Sequence, residues 1–141
     1  MKIYFAASIR GGRGDQELYF ELIRHLQKHG EVLTEHIGEK NLSALGEDGK
    51  TDTFIHDRDM QWLSDSDVVV VEATQPSSGV GYEIGRMVER GGKRILCLCR
   101  PQEGKMLSAM ISGSKDILNR EYQTLDEAKE IIDLFFSSLI F

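Results

Sequence analysis

DVVVVEATQPSSGVGYEIGRMVERGG, residues 67–92, decides how this chain folds. Val68–Ala73 is nearly continuous valine, the composition of a strand covered on both faces in a parallel sheet. A helix is predicted from about Gly79 to Arg90, so the stretch is a strand, a tight loop and a helix in succession. The glycines run Gly79-x-Gly81-x-x-x-Gly85, one residue too long for the G-x-G-x-x-G of dinucleotide-binding turns. Glu83 also stands where a phosphate would be expected to lie. Ser77 or Ser78 can cap the helix, and the N-terminus of a helix attracts anions. An interior glycine costs a helix about 0.5–1 kcal/mol relative to alanine. Gly81 and Gly85 are therefore expected to meet a closely approaching ligand, strand or helix. Tight helix–sheet packing is the simpler account of Gly85.

Strands and helices alternate on either side of this unit. Lys2–Ala7 is predicted as the first strand. Glu17–Lys28 follows as a helix, with Leu18, Phe20, Leu22, Ile23 and Leu26 at helical spacing and a stop at Gly30. Glu31–His36 is predicted as the second strand, and residues 38–52 as a polar, glycine-punctuated loop. Thr53–Ser64 puts Phe54, Ile55, Met60 and Leu63 on a helical repeat. Beyond the central unit the prediction is a strand at Arg94–Leu98, a short helix at Gly104–Ser112 and an edge strand at Ile117–Tyr122. The capping box Thr124–Glu127 opens a last helix to about Ser138. No repeat, low-complexity tract or linker divides the chain. Residues 1–141 are expected to form one α/β domain, a Rossmann-like (flavodoxin-like) three-layer sandwich with a mostly parallel five-stranded sheet. Ligands of such folds bind beyond the carboxyl ends of the strands, which singles out the loops after strands one, three and four.

Composition narrows the classes. Lys plus Arg number 17 against 23 Asp plus Glu, a net charge of −6, which disfavours a nucleic acid polymer as partner. A compact basic pocket remains compatible with that balance, because phosphate binding is local. No segment approaches the ~20 apolar residues that span a bilayer, so no membrane partner is expected. Cys97 and Cys99 are expected on opposite faces of one strand, unpaired and structural. A reducing compartment is expected, the cytoplasm, and also the nucleus if the source is eukaryotic.

Three places carry chemistry. The first loop, Ala7-Ser8-Ile9-Arg10-Gly11-Gly12-Arg13-Gly14-Asp15, offers free backbone N–H groups, a hydroxyl and a guanidinium for a phosphate, or is simply a solvated turn. It lacks the Gly-Lys-Ser/Thr ending of a Walker A loop. Glu83 lies one to two turns into the glycine-rich helix, where the dipole favours its ionised form, although an exposed surface glutamate would look the same. Asp59 shares a helix face with Ile55 and Leu63, and a charge on an apolar face is costly unless paired or functional. An Asp and a Glu converging on one pocket is the arrangement that cleaves glycosidic bonds.

YFAASIRGGR at 4–13, IHDRDMQWLSDSDVVVVEATQPSSGVGYEIGR at 55–86, and ILCLCRPQ with LSAMI at 95–111 together resemble the nucleoside 2-deoxyribosyltransferase superfamily. The likeness is closest to its hydrolytic branch, which cleaves 2'-deoxynucleoside 5'-monophosphates to free base and 2-deoxyribose 5-phosphate. The resemblance implies that Glu83 attacks the anomeric carbon and forms a covalent deoxyribosyl–enzyme intermediate. Asp59 would assist departure of the base by protonating it, and Tyr4 would lie beside the sugar and the nucleophile. Ser8, Arg10, Ser77 and the backbone at Gly79 would hold the 5'-phosphate, and Ile9 and Gly11 would also bind substrate. Ser108, with Met110 beside it, would reach the site of a neighbouring subunit, implying a homodimer. No metal and no organic cofactor is implied. The branch has a glycine where this chain has Ala7, a departure that bears on phosphate contact.

Two other functions stay open on the residues alone. A nucleoside 2-deoxyribosyltransferase would move deoxyribose between bases. A non-catalytic nucleotide-binding module would need the anion loops but not both carboxylates. Arg10 and the neighbouring serines favour a phosphorylated substrate.

Overall fold

The structure is a computed structural model and describes residues 1–9, 15–38 and 49–139. Five strands form one sheet: β1 (Lys2–Ala6), β2 (Glu31–Val32), β3 (Val68–Glu72), β4 (Arg94–Cys99) and β5 (Leu118–Glu121). Every pairing is parallel, in the order β2-β1-β3-β4-β5. The helices are α1 (Gln16–Leu26), α2 (Asp52–Asp65), α3 (Ser78–Arg90), the single turn α4 (Ala109–Ser112) and α5 (Leu125–Ser137). This is the flavodoxin-like doubly wound order, and its chain reversal lies between β1 and β3.

Alternation along each strand builds two apolar layers. Ile3, Phe5, Val68, Val70, Leu96 and Leu98 face α1 and α5, where Tyr19, Leu22, Leu26, Ile132 and Phe135 complete one core. Tyr4, Ala6, Val69, Val71, Ile95 and Cys97 face the other way, onto Leu63 of α2 and Val80, Ile84 and Met87 of α3. All five residues of β3 are buried, as its valine run requires. Tyr4 therefore belongs to the α2–α3 side of the sheet.

Three expectations need correction. The second strand ends at Val32 because Thr34 takes over the edge: its Oγ1 accepts from Phe5 N (2.9 Å) and donates to Phe5 O (2.7 Å). A 3-10 turn at Glu35–Gly38 follows. The helix expected over Gly104–Ser112 shrinks to α4, since Gly104 adopts φ +74 and Ser108 caps the turn by accepting from Met110 N (3.2 Å). Cys97 and Cys99 share a face rather than opposing one another, because strand side chains alternate with a period of two. Both are free thiols. Much of the polar loop, residues 39–48, lies outside the described residues.

Candidate active site

A cleft of about 550 Å³ opens where β1 and β3 end, at the chain reversal of the sheet. Ala7 and Ile9 line it from the end of β1, Ser77, Gly79 and Glu83 from α3, and Asp59 from α2. Each wall has a local cause. Thr51 caps α2 by accepting from Phe54 N (3.1 Å), and Ser77 caps α3 by accepting from Val80 N (3.3 Å). Leu63 is fully buried and anchors α2 on the sheet. Asp59, one turn before it, is thereby carried to the cleft.

Glu83 is the centre of the polar groups. The hydroxyl of Tyr4 donates a hydrogen bond to Oε2 of Glu83, joining residues 79 apart in the chain. Burial pushes the Glu83 carboxyl up to about 7; the Tyr4 bond pulls the other way, and the Asp59 charge adds to the rise. Tyr4 is itself buried, and burial, followed by the Glu83 and Asp59 charges, holds its hydroxyl far above the ordinary tyrosine range. Tyr4 thus stays protonated and is the donor of the pair. Arg58 forks onto Oδ1 of Asp59 through Nε (3.1 Å) and Nη2 (3.0 Å). Its guanidinium in turn lies over Trp62, 4.5 Å from the ring centroid.

The expected phosphate groups divide. Ser77 and Gly79 stand at the mouth of α3 beside Glu83, with the helix N-terminus turned to the cleft. Ser8 is fully buried, and its hydroxyl has no hydrogen-bond partner among the described residues. Arg10 and Gly11 lie outside the described residues. Ser108 and Met110 line a second, larger hollow of about 920 Å³ on the far side of α3, not the cleft holding Glu83. Ser77 and Ser78 border both.

Gly81 and Gly85 also face that second hollow. A Cβ built on either meets nothing within 4 Å, so helix–sheet packing does not explain Gly85. Neither glycine lines the cleft.

Some site residues have no distinct signature in the sequence. Arg58 and His56 line the cleft and read as ordinary polar helix positions. Glu72, at the end of β3, is completely buried beneath the loop leading to Ser77. Its Oε1 accepts from Thr74 N (2.7 Å), and its Oε2 accepts from Thr74 Oγ1 (2.9 Å) and from the Tyr122 hydroxyl. Thr74 Oγ1 accepts in turn from Arg100 N (2.9 Å). A glutamate closing a run of four valines was the available signal for this bracket.

Two carboxylates in one strand-end cleft, one of them accepting from a buried tyrosine, form the arrangement of a class: enzymes that open glycosyl bonds. The family model "Nucleoside 2-deoxyribosyltransferase" matches residues 3–131, and this chain belongs to that family. It is 52% identical over 141 residues to 5-hydroxymethyl-dUMP N-hydrolase of Danio rerio, covering 99% of this chain and 98% of that one. It is also 52% identical over 144 residues to a protein of Nematostella vectensis named putative 2'-deoxynucleoside 5'-phosphate N-hydrolase 1, covering 98% and 95%. A solved structure of the CMP N-glycosidase BcmB of Clostridium botulinum shares the fold, with a TM-score of 0.70, 18% identity and coverage of 96% and 99%.

Proposed function

We propose that the protein hydrolyses the N-glycosidic bond of 2'-deoxynucleoside 5'-monophosphates, and that 5-hydroxymethyl-dUMP, named for its relatives, is among its substrates. The observation that carries this reading is the Tyr4–Glu83 hydrogen bond set against Asp59 in the cleft. The sugar lies on α3, with its phosphate toward Ser77 and the helix mouth and its anomeric carbon over Glu83. As the C1'–N bond breaks, positive charge develops on the sugar, and the Glu83 carboxylate stabilises it and closes a C1'–O bond. Asp59 delivers a proton to the departing base. Water then attacks C1', gives a proton back to Asp59 and releases 2-deoxyribose 5-phosphate and free Glu83. Two displacements at one carbon retain the anomeric configuration. The protein acts in the cytoplasm on free nucleotides.

The second hollow supports the reading that the protein works as a homodimer. Met106 and Met110 are 96% and 85% exposed beside it, and the open Gly81 and Gly85 let a second backbone approach α3. Ser108 of one copy would then stand near Ser77 of the other.

Product analysis on 5-hydroxymethyl-dUMP, the four deoxynucleoside monophosphates and their unphosphorylated nucleosides tests the activity, each with and without adenine as acceptor. The expected result is base and 2-deoxyribose 5-phosphate from monophosphates alone. Transfer of deoxyribose to adenine from a free nucleoside would replace this reading with the transferase. Nucleotide binding without turnover would replace it with a binding module. Glu83→Ala is expected to abolish turnover while nucleotide affinity stays within about tenfold, ~1.4 kcal/mol.

A further inference from the structure

His25, His29 and Asp133 meet on the opposite side of the sheet from the cleft, where α1 packs on α5. Nε2 of His25 lies 2.7 Å from Oδ1 of Asp133, and Nε2 of His29 lies 2.7 Å from the same oxygen. One potential ligand atom from each of the three residues lies within 4.8 Å of the other two. We propose that these three side chains form a binding site for a divalent transition metal ion of the Zn2+ type, which clips the end of α1 to α5.

The chemistry of the set selects the ion. Two imidazoles and one carboxylate suit Zn2+ and its neighbours, whereas Mg2+ and Ca2+ demand oxygen ligands throughout. Three protein ligands leave a fourth tetrahedral position for water. With metal–ligand bonds of about 2.0–2.2 Å, ligand atoms of a tetrahedron stand ~3.3 Å apart. Each present contact of 2.7 Å therefore has to open by about 0.6 Å, which rotation of Asp133 supplies, since that side chain is 54% exposed.

The ligands are held ready by their surroundings. His25 is buried in the last turn of α1, and His29 follows one turn later, its N–H bonded to Leu26 O (2.8 Å). The His29 ring stacks on Phe136 of α5, with centroids 4.4 Å apart and planes inclined by 6°, which fixes its direction.

One feature sets the affinity. With Nε2 on the metal, Nδ1 of His25 carries a proton, and that atom is buried with no partner among the described residues. Loss of such an outer hydrogen bond costs a zinc site 10–100-fold. Micromolar rather than nanomolar binding is therefore expected.

The test is titration of tag-free protein with Co2+ and Zn2+. One equivalent of Co2+ should give the intense visible bands of a four-coordinate ion, displaced by Zn2+. Zn2+ at a hundredfold excess over Kd should raise Tm by ~8 °C relative to protein in EDTA. His29→Gln and Asp133→Asn should each weaken binding at least tenfold, and neither residue touches the cleft, so turnover of folded enzyme should not change. Absence of the cobalt bands in the native protein, or equal binding by both variants, would overturn the proposal.

Discussion

On the proposed mechanism Glu83 must lose its proton to act, yet its burial in the cleft opposes that loss. For the free enzyme, the acid limb of kcat/KM should therefore follow Glu83, climbing tenfold per pH unit up to about 7. Asp59→Asn removes a negative charge that raises the Glu83 pKa, so what activity remains should have its acid limb at lower pH. Tyr4→Phe removes a donor to the ionised form and should move the limb upward. Opposite displacements in the two variants are the signature to measure, and parallel ones would exclude Glu83 as the titrating group. The same burial has a cost in stability. The folded state holds this proton more tightly than the unfolded chain, so the group's contribution to stability falls as pH rises from the ordinary carboxylate range to about 7. Glu83→Gln should exceed the wild type in Tm at pH 8 by roughly 4 °C, the shift of ~1 kcal/mol in a domain of this size, with the difference vanishing near pH 4. Differential scanning calorimetry across that range checks the sign. At this scale Glu83 and Asp59 were legible, as charges where helices should be apolar or bare. Tyr4 was not separable from a core tyrosine except by resemblance, because a strand shows alternation but not which face meets a site.

Helix α3 and the loop before it form the element on which the site depends. Ser77 caps α3 and borders the cleft at the helix mouth, so Ser77→Ala should lower stability by about 1 kcal/mol and, on the proposed function, raise KM for monophosphates. Equilibrium urea unfolding and steady-state kinetics separate the two effects. Behind the loop, Glu72 is buried with Tyr122, and burial raises its pKa against the Tyr122 and Thr74 hydrogen bonds. Tyr122→Phe withdraws one of those donors and should cost about 1–3 kcal/mol. A KM increase without a matching fall in kcat would show that the bracket positions the loop rather than the nucleophile. Element type was readable throughout, since the valine run, the caps and the helical repeats are local signals. Element length was not. Thr34 ends β2 by bonding to Phe5, a residue 29 positions away, and no window of sequence contains both.

At the scale of the whole molecule, the unanswered surface is the hollow between α3 and α4. Within one chain Gly85 has open space, so Gly85→Ala should stabilise the separated chain by roughly 0.5–1 kcal/mol. If a second copy packs there, the same methyl should weaken association at least about tenfold, ~1.4 kcal/mol. Sedimentation velocity over a concentration series reads that outcome, and an unchanged dimer would move the interface elsewhere. In the sequence the hollow was signalled by Gly81 and Gly85, read as points of close approach, and by Ser108, singled out through the resemblance. The sequence by itself determined the α/β class, the alternation of elements and the two carboxylates, because period, capping and a charge on an apolar face are properties of neighbours in the chain. Only the tertiary structure decided that Tyr4 meets Glu83, that Ser108 stands apart from them, and that His25 and His29 find Asp133 across α1 and α5. Those are meetings across 79 to 108 residues, and they follow from the order in which a parallel sheet lays its strands side by side.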